Sequence, residues 1–477
     1  MQIEATVPDA DDLVKGAGSL LHAGRPAAAR PLLAALARLK PDADGLALLE
    51  SGLREAEGRI PDAISVLDAA LAAQPANAAL LKRRAGLRHR RGDCRAAIDD
   101  AAAAVIAAPR DASAKALLGM LLTEQGEVPN ARACLAEACA AEPDNADFRL
   151  GFSEAAERNG EIRLAASLLE EGIARSPGNS DLREAAIRLA LRDEDPAGAE
   201  RLAEAARGAG LANATILRLL GQAAAAQGRA RDSARWLGEA LRLAPADESL
   251  RHMAAAAGAV PAAERAPREF VKAQFEPVAN MFARSAIAAG NRVPGLIRKA
   301  VLAHAQGRGG PVLDLGCGSG LSAVALSDLA VEPFVGVDLS GRMLAAAREW
   351  GLYAELVEAD LIDFLADERR CFPLILAAEV LPWFGSLKPA LASAQPRLAR
   401  GGRFILSLET TSAEEAHGRG WVLGPKGSYA HSIAAFESAA VEAGFRLVHL
   451  APDILRFEKG AAIAGLIAVL GRSDDAA

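Results

Sequence analysis

The stretch V-L-D-L-G-C-G-S-G, Val312 to Gly320, is followed eighteen positions later by Asp338, which closes a second apolar run, F-V-G-V-D; this pair decides how the C-terminal part of the chain folds. Val312, Leu313 and Leu315 have the length and apolarity of a strand buried on both faces, and the glycines begin where that strand ends. Glycine lets backbone approach a ligand closely, because no Cβ intervenes. The next residues, L-S-A-V-A-L-S-D-L, predict a helix whose first-turn N–H groups face whatever lies over the turn. Asp338 is placed to accept hydrogen bonds from ribose hydroxyls. Gly316, Gly318 and Gly320 stand in G-x-G-x-G register; a nicotinamide turn, G-x-G-x-x-G, needs glycine where Leu321 stands, so that cofactor is disfavoured.

Downstream, strands are expected at 311–315, 334–338, 353–358, 372–379, 402–409, 445–451 and 461–470, alternating with helices. That alternation predicts a right-handed, parallel, doubly wound α/β sheet with ligands beyond the carboxyl ends of its strands. The motif D-x-G-x-G-x-G followed by V-D-L-S resembles the S-adenosylmethionine site of class I methyltransferases, which have a Rossmann-like sheet of seven strands. The resemblance implies a cofactor site of Asp314, Gly316, Cys317, Gly318, Gly320, Asp338, Leu339, Met343, Asp360, Leu361 and Glu379. In it Asp360 accepts from the adenine amino group and Glu379 stands near the sulfonium and amino end. Asp360 is also a candidate N-cap for the helix beginning I-D-F-L. No N-P-P-Y or D-P-P-Y occurs, which speaks against amide-nitrogen or adenine-N6 methylation of that familiar kind.

The N-terminal half repeats itself. Pro41, Pro75, Pro109, Pro143, Pro177 and Pro245 are spaced by 34 residues, with one double step over Leu211. Seventeen residues ahead of each stands Gly24, Gly58, Gly92, Gly126, Gly160 or Gly228, with Glu194 in the skipped place. Ala29, Ala63, Ala97, Ala131, Ala165 and Ala199 keep the same phase. Glycine suits a turn between two helices, alanine their close crossing, and proline the end of the second helix. The pattern, over roughly 10–245, resembles the tetratricopeptide repeat and implies an all-α superhelix whose concave face holds a protein or peptide. Lys82, Arg83, Arg84, Arg88, His89, Arg90, Arg91 and Arg95 crowd one repeat. Lys82 and His89 are expected to face the groove, either as a spot for an acidic peptide or C-terminal carboxylate or as part of a solvated helix face.

Two domains are therefore expected: repeats with a capping helix over 1–257, a linker at 258–268 containing Pro261 and Pro267, and a catalytic domain over 269–477. A net charge of −7 excludes the basic footprint of a nucleic-acid binder. The first residues have no signal-peptide pattern, and the longest apolar run, Ala461 to Leu470, is about half a membrane span and is expected to be a terminal core strand. Five cysteines without a C-x-x-C pair fit a reduced, cytoplasmic setting. Histidine spacing suggests no metal site.

The catalytic half as a whole resembles a bacterial family of repeat-containing methyltransferases related to the Williams–Beuren region 27-like methyltransferases. The shared segments are F-V-K-A-Q-F-E (270–276), V-L-D-L-G-C-G-S-G, G-V-D-L-S-G-R-M-L, E-L-V-E-A-D-L, A-A-E-V-L-P-W-F and G-S-Y-A-H-S (427–432). The likeness implies methyl transfer from S-adenosylmethionine, giving S-adenosylhomocysteine, to an acceptor it does not name. Tyr429 and His431, expected in a loop after the fifth strand, are candidates for a catalytic base; alternatively His431 and Ser432 only begin a helix. Phe270, Phe275 and Phe282 are expected on a helix over the cofactor, and Trp383 in the substrate pocket. A competing reading is a scaffold whose methyltransferase-like domain binds the cofactor without turnover.

Overall fold

A computed structural model describes residues 9–39, 45–305, 309–329, 333–458 and 460–474; Pro41 lies outside them. The chain divides into two compact units, Met1–Ala212 and Asn213–Ala477. Among the described residues, six helix pairs belong to the first unit, and a seventh, Ala214–Ala226 with Ala230–Leu243, belongs to the second. The expected boundary at 257/258 falls within the second unit.

The 34-residue period is visible atom by atom. Ala29, Ala63, Ala97, Ala131, Ala165 and Ala199 all have 0% exposure, because each sits where two helices cross too closely for a longer side chain. Gly24, Gly58, Gly92, Gly126, Gly160 and Gly228 take the left-handed conformation at the turn inside each pair. Glu194, in the place where the period asks for glycine, adopts it too, with φ 58°. For a residue with a Cβ that conformation costs about 1–2 kcal/mol, so the turn is imposed by the packing of its two helices. Pro75, Pro109, Pro143, Pro177 and Pro245 each follow the last helical residue by two positions. A further periodic feature had escaped the sequence reading: Asn77, Asp111, Asn145, Asn179, Asn213 and Asp247 each cap the next helix, their side chains accepting from its first free N–H groups.

The basic stretch is neutralised within the array. Arg84 and Arg88 bracket the buried Asp100 at 2.6 and 2.9 Å, and Arg83 and Arg90 pair with Glu55. Lys82 reaches Asp111 of the next repeat at 2.6 Å, and His89 lies 3.5 Å from Glu124. The Asp111 carboxyl is held down at about 2: burial works against its charge, but Lys82, Ser113 and the Ala114 N–H outweigh it. Both residues expected to meet a partner are thus already engaged by acids of the array.

In the second unit seven strands form one sheet: β1 (Val312–Leu315), β2 (Phe334–Asp338), β3 (Tyr353–Glu358), β4 (Phe372–Ala377), β5 (Leu398–Glu409), β8 (Phe445–Glu458) and β9 (Ala461–Arg472), in the order β3-β2-β1-β4-β5-β9-β8. The short strands β6 (Trp421–Leu423) and β7 (Tyr429–His431) pair separately. This is the Rossmann-like sheet expected, with one correction: β9 runs antiparallel to both its neighbours. Only two residues join Glu458 to Ala461, far too few for a parallel crossover, which takes a dozen or more. The apolar run 461–470 is an inner strand between β5 and β8, the core strand its composition led us to expect. Helices cover both faces, sealing a cluster around Leu391, Phe404 and Phe436 on one side and around Ile297, Leu326 and Ile405 on the other.

Helix Glu248–Ala256, expected to cap the repeats, packs on the seventh pair and also on helix Arg268–Phe275, ahead of the α/β sheet. His252, 3% exposed, donates through Nε2 to the Gly427 carbonyl at 2.8 Å, with its ring 4.6 Å from that of Phe270. Burial pushes its pKa down, so it sits there as a neutral wedge.

Candidate functional site

The carboxyl ends of β1, β2 and β4 open on a cavity of about 490 Å³, within the ~300–1,000 Å³ typical of small-molecule sites. At the end of β1 the chain turns through Gly316, with φ 68°, where a Cβ would stand 2.5 Å from Val380 Cγ2. Any side chain there would collide with the wall beyond β4. Asp338, closing β2, accepts from the Gly318 N–H and the Ser340 N–H, each at 2.9 Å, one on either carboxylate oxygen. Burial raises its pKa against the pull of those N–H groups. One acceptor position on each oxygen is left by this count, enough for a pair of vicinal hydroxyls.

Of the residues expected around the cofactor, Gly316, Cys317, Gly318, Asp338, Leu339, Met343, Asp360, Leu361 and Glu379 line this cavity. Asp314 and Gly320 do not. Asp314 is fully buried beneath the turn and accepts from Tyr353 Oη at 2.8 Å; burial pushes its pKa up to about 7, the tyrosine opposes and Asp338 adds to it. Gly320, φ 87°, begins helix Leu321–Leu326 from behind, facing Tyr353 and Trp350. Both lie behind the turn rather than on the cavity wall.

Phe275, Phe282 and Trp383 line the opposite wall, stacked edge to face at 5.7 and 5.6 Å about Phe275. Phe270 does not reach the cavity; it is buried behind that wall between His252 and Trp383. Tyr429 and His431 need a larger correction. They lie in strand β7, not in a loop, and neither lines the cavity. Tyr429 has no exposed surface and donates to the Ala263 carbonyl at 2.7 Å. His431 donates through Nε2 to the Gly385 carbonyl at 3.0 Å, and burial holds its pKa down to about 4 against the opposing Gly385 and Phe384 backbone. A base needs access to the proton it takes, so these two are structural here. Ser432 caps helix Ile433–Glu442.

Several lining residues carried no motif. Arg456, in β8, donates to Glu379 at 3.0 Å, Glu409 at 2.5 Å and Glu458 at 2.9 Å, while Asn291 donates to the other oxygen of Glu379 at 2.5 Å. Burial opposes the charge of Arg456, but Glu409, Glu379 and Glu458 outweigh it and hold its pKa up. Glu379 has φ 57°, and its N–H is held by Ser407 Oγ at 2.8 Å. Arg265 and Arg268, both within the expected linker, the second opening helix Arg268–Phe275, pair with Asp360. These groups come from β8, β5 and the segment ahead of the fold, and only the tertiary structure brings them to one cavity. The positive φ of Glu379, where resemblance gave only a charge, is invisible in a single sequence.

Among the described residues no group of three or more His, Cys, Asp or Glu is placed to hold a metal, and no helix is long and apolar enough to cross a membrane. Residues 312–402 match the methyltransferase domain family, and 15–78, 48–112, 83–146 and 116–180 match the tetratricopeptide repeat family. Over 110 residues, 23% of this chain and 35% of the relative, the sequence is 34% identical to ribosomal protein L11 methyltransferase of Xanthomonas campestris pv. campestris. Over another 110-residue match, 22% of the chain and 41% of the relative, it is 34% identical to trans-aconitate 2-methyltransferase of Paracidovorax citrulli. The matches thus span between a third and about two fifths of those curated relatives. Among solved structures, a tetratricopeptide repeat protein from Parabacteroides merdae covers 51% of this chain and 97% of its own at 18% identity, TM-score 0.41. A methyltransferase dependent on S-adenosylmethionine from Clostridium acetobutylicum covers 42% and 98% at 16% identity, TM-score 0.32.

Proposed function

We propose that this union of tetratricopeptide repeats with a class I methyltransferase fold transfers the methyl group of S-adenosylmethionine to an acceptor, a protein or carrier-bound group, that its repeats recruit in a cytoplasmic setting. The observation that carries the reading is the glycine turn of Gly316–Gly318 with the doubly anchored Asp338 on one wall of a 490 Å³ cavity. The residues present fit the cofactor: Gly318 presents bare backbone to the cavity with nothing within 4 Å of where its Cβ would stand, and Asp338 keeps acceptor positions for both ribose hydroxyls. Leu339, Met343 and Leu361 offer apolar surface to the nucleoside, and Glu379 a carboxylate to its amino end.

When bound, the sulfonium supplies an already activated methyl group for in-line displacement. The chain's contribution is then orientation and exclusion of water, through the turn, the two aspartates and the aromatic wall of Phe275, Phe282 and Trp383. With Tyr429 and His431 buried and hydrogen-bonded elsewhere, no proton transfer is assigned to them.

Calorimetric titration of the full chain with S-adenosylmethionine and S-adenosylhomocysteine tests the first half: both should bind, Asp338→Ala should lose both, and no binding to the intact chain would sink the proposal. Formation of S-adenosylhomocysteine with a partner captured on the repeats tests turnover, and its absence would favour the scaffold reading.

A further inference from the structure

Where β8 meets the cavity, three glutamates share one guanidinium. Arg456 donates through Nη1 to Glu379 at 3.0 Å, through Nη2 to Glu409 at 2.5 Å and through Nε to Glu458 at 2.9 Å. The other oxygen of Glu379 accepts from Asn291, and that of Glu458 from Lys426. Glu409 differs: its Oε1 accepts from Arg456, and its Oε2 has no donor among the described residues. Glu409 closes β5 at the carboxyl end, lines the cavity and keeps 11% of its side chain exposed, so this oxygen stands open to a ligand. Pairing of its backbone with Gly465 of β9 fixes it within the sheet.

The charges of the wall restrict what such a ligand can be. Among the described lining residues the cationic side chains are Arg265, Arg268, Lys426 and Arg456, and each is already paired with an acid. Five acids, Asp338, Asp360, Glu379, Glu409 and Glu458, face those four. An anionic acceptor would give up its hydration and meet no unpaired cation. We propose that Glu409 binds the methyl acceptor and that the acceptor is an aliphatic amine, held in the cavity that Glu409 shares with the aromatic wall of Phe275, Phe282 and Trp383. The proposal rests on the S-adenosylmethionine reading above, in which Glu379 meets the amino end of the cofactor; Glu409 lies one guanidinium's width from it. The amine reacts as its free base, its ammonium proton having passed to solvent. Its nitrogen lone pair forms the new C–N bond while the C–S bond breaks with its electron pair on sulfur. The positive charge thus passes from sulfur to nitrogen, where an open carboxylate oxygen stabilises it. A hydroxyl acceptor would end uncharged and leave that oxygen without a counterion. A glutamate that only tied β5 to β8 would favour no ligand over another.

The test compares three probes of one shape and different head group: phenethylamine, phenethyl alcohol and phenylacetate. Each is titrated, with ligand-observed NMR, into the full chain saturated with S-adenosylhomocysteine. The wild type should bind the amine about tenfold or more tighter than the alcohol, in line with a charge-assisted hydrogen bond, and the carboxylate least of all. Glu409→Gln keeps an acceptor for Arg456 but removes the charge; it should bring amine and alcohol together while the affinity for S-adenosylhomocysteine changes little. Glu409→Asp, which retains the charge one methylene further back, should keep part of the preference. Glu458→Gln, the same change at a carboxylate with both oxygens occupied, should leave the preference in place. Equal binding of amine and alcohol by the wild type, tightest binding of phenylacetate, no binding of the amine, or a preference that survives Glu409→Gln overturns the proposal while the cofactor reading stands. Loss of the preference in Glu458→Gln as well would assign it to net charge and overturn the role of Glu409. Failure of the wild type to bind S-adenosylhomocysteine overturns the cofactor reading itself.

Discussion

Glu194 and Glu379 adopt the same left-handed backbone, with φ 58° and 57°, in regions built on different principles. In the repeats the conformation belongs to the turn: the equivalent turns put glycine there, and Glu194 carries strain because its two helices leave no other path. At the cavity the conformation belongs to the side chain. Glu379 is anchored through its N–H by Ser407, and its carboxylate is shared between Asn291 and Arg456. One glutamate stands where a periodic scaffold repeats glycine, whereas the other lines a cavity that occurs once. Repetition spreads stability over many similar contacts, so each position matters a little and all matter alike. A ligand cavity concentrates its requirements on a few atoms.

The largest expected effect of a single substitution follows from that concentration. Gly316→Ala sets a Cβ against Val380 and should weaken S-adenosylhomocysteine binding more than about a hundredfold in calorimetry, in keeping with the several kcal/mol that overpacking plus a left-handed alanine cost. Retained affinity would mean that the turn is not where the ligand lies. Next in size, Ala165→Leu should cost about 1–3 kcal/mol of stability in denaturant unfolding, leaving S-adenosylhomocysteine affinity within twofold, because it overfills a helix crossing. A large change in affinity would undo the contrast drawn above.

A smaller effect separates two buried groups by pH. Asp314, raised from 3.8 to about 7, takes up a proton on folding, so its contribution to stability grows as pH falls from about 7 towards 4. His431, lowered from 6.5 to about 4, contributes in the opposite sense and its share is lost over the fall from 6.5 to 4. The two slopes oppose each other in the wild type. Asp314→Asn should raise the melting temperature at pH 8 and make it fall more steeply on acidification, and parallel melting profiles would refute the assignment. The smallest effect is expected in the repeats: Glu194→Gly should stabilise by about 0.5–1 kcal/mol, the relief of left-handed strain less the greater entropy of unfolded glycine.

How far the sequence went differs between the regions for the same reason. The repeats could be read almost whole, since a turn, a crossing alanine and a terminating proline recur at fixed distance, and local chemistry alone explains each. What was missed there, the Asn and Asp caps from Asn77 to Asp247, is periodic too and could have been counted. In the α/β fold the strands and the Gly316–Asp338 pairing were equally visible, because they are local. The antiparallel course of β9 hid behind a run that is apolar in either direction. Tyr429 and His431 looked like chemistry because both residue types can do it, yet burial and carbonyl partners decide otherwise, and neither is written in the chain. Arg265 read as part of a linker from its neighbours Pro261 and Pro267, though the backbone around it is stitched to residues 383–386.

The His252 wedge has a consequence for how such a chain can change over generations. A 34-residue unit whose faces meet only similar units can be duplicated or lost without rewriting its surroundings. The unit ending at helix Glu248–Ala256 lacks that freedom, since its cap is bonded to Gly427, where a Cβ would strike Phe270 Cζ at 2.7 Å. Gain and loss of units are therefore expected ahead of Asn213, with the terminal unit inherited together with the α/β fold it leans on.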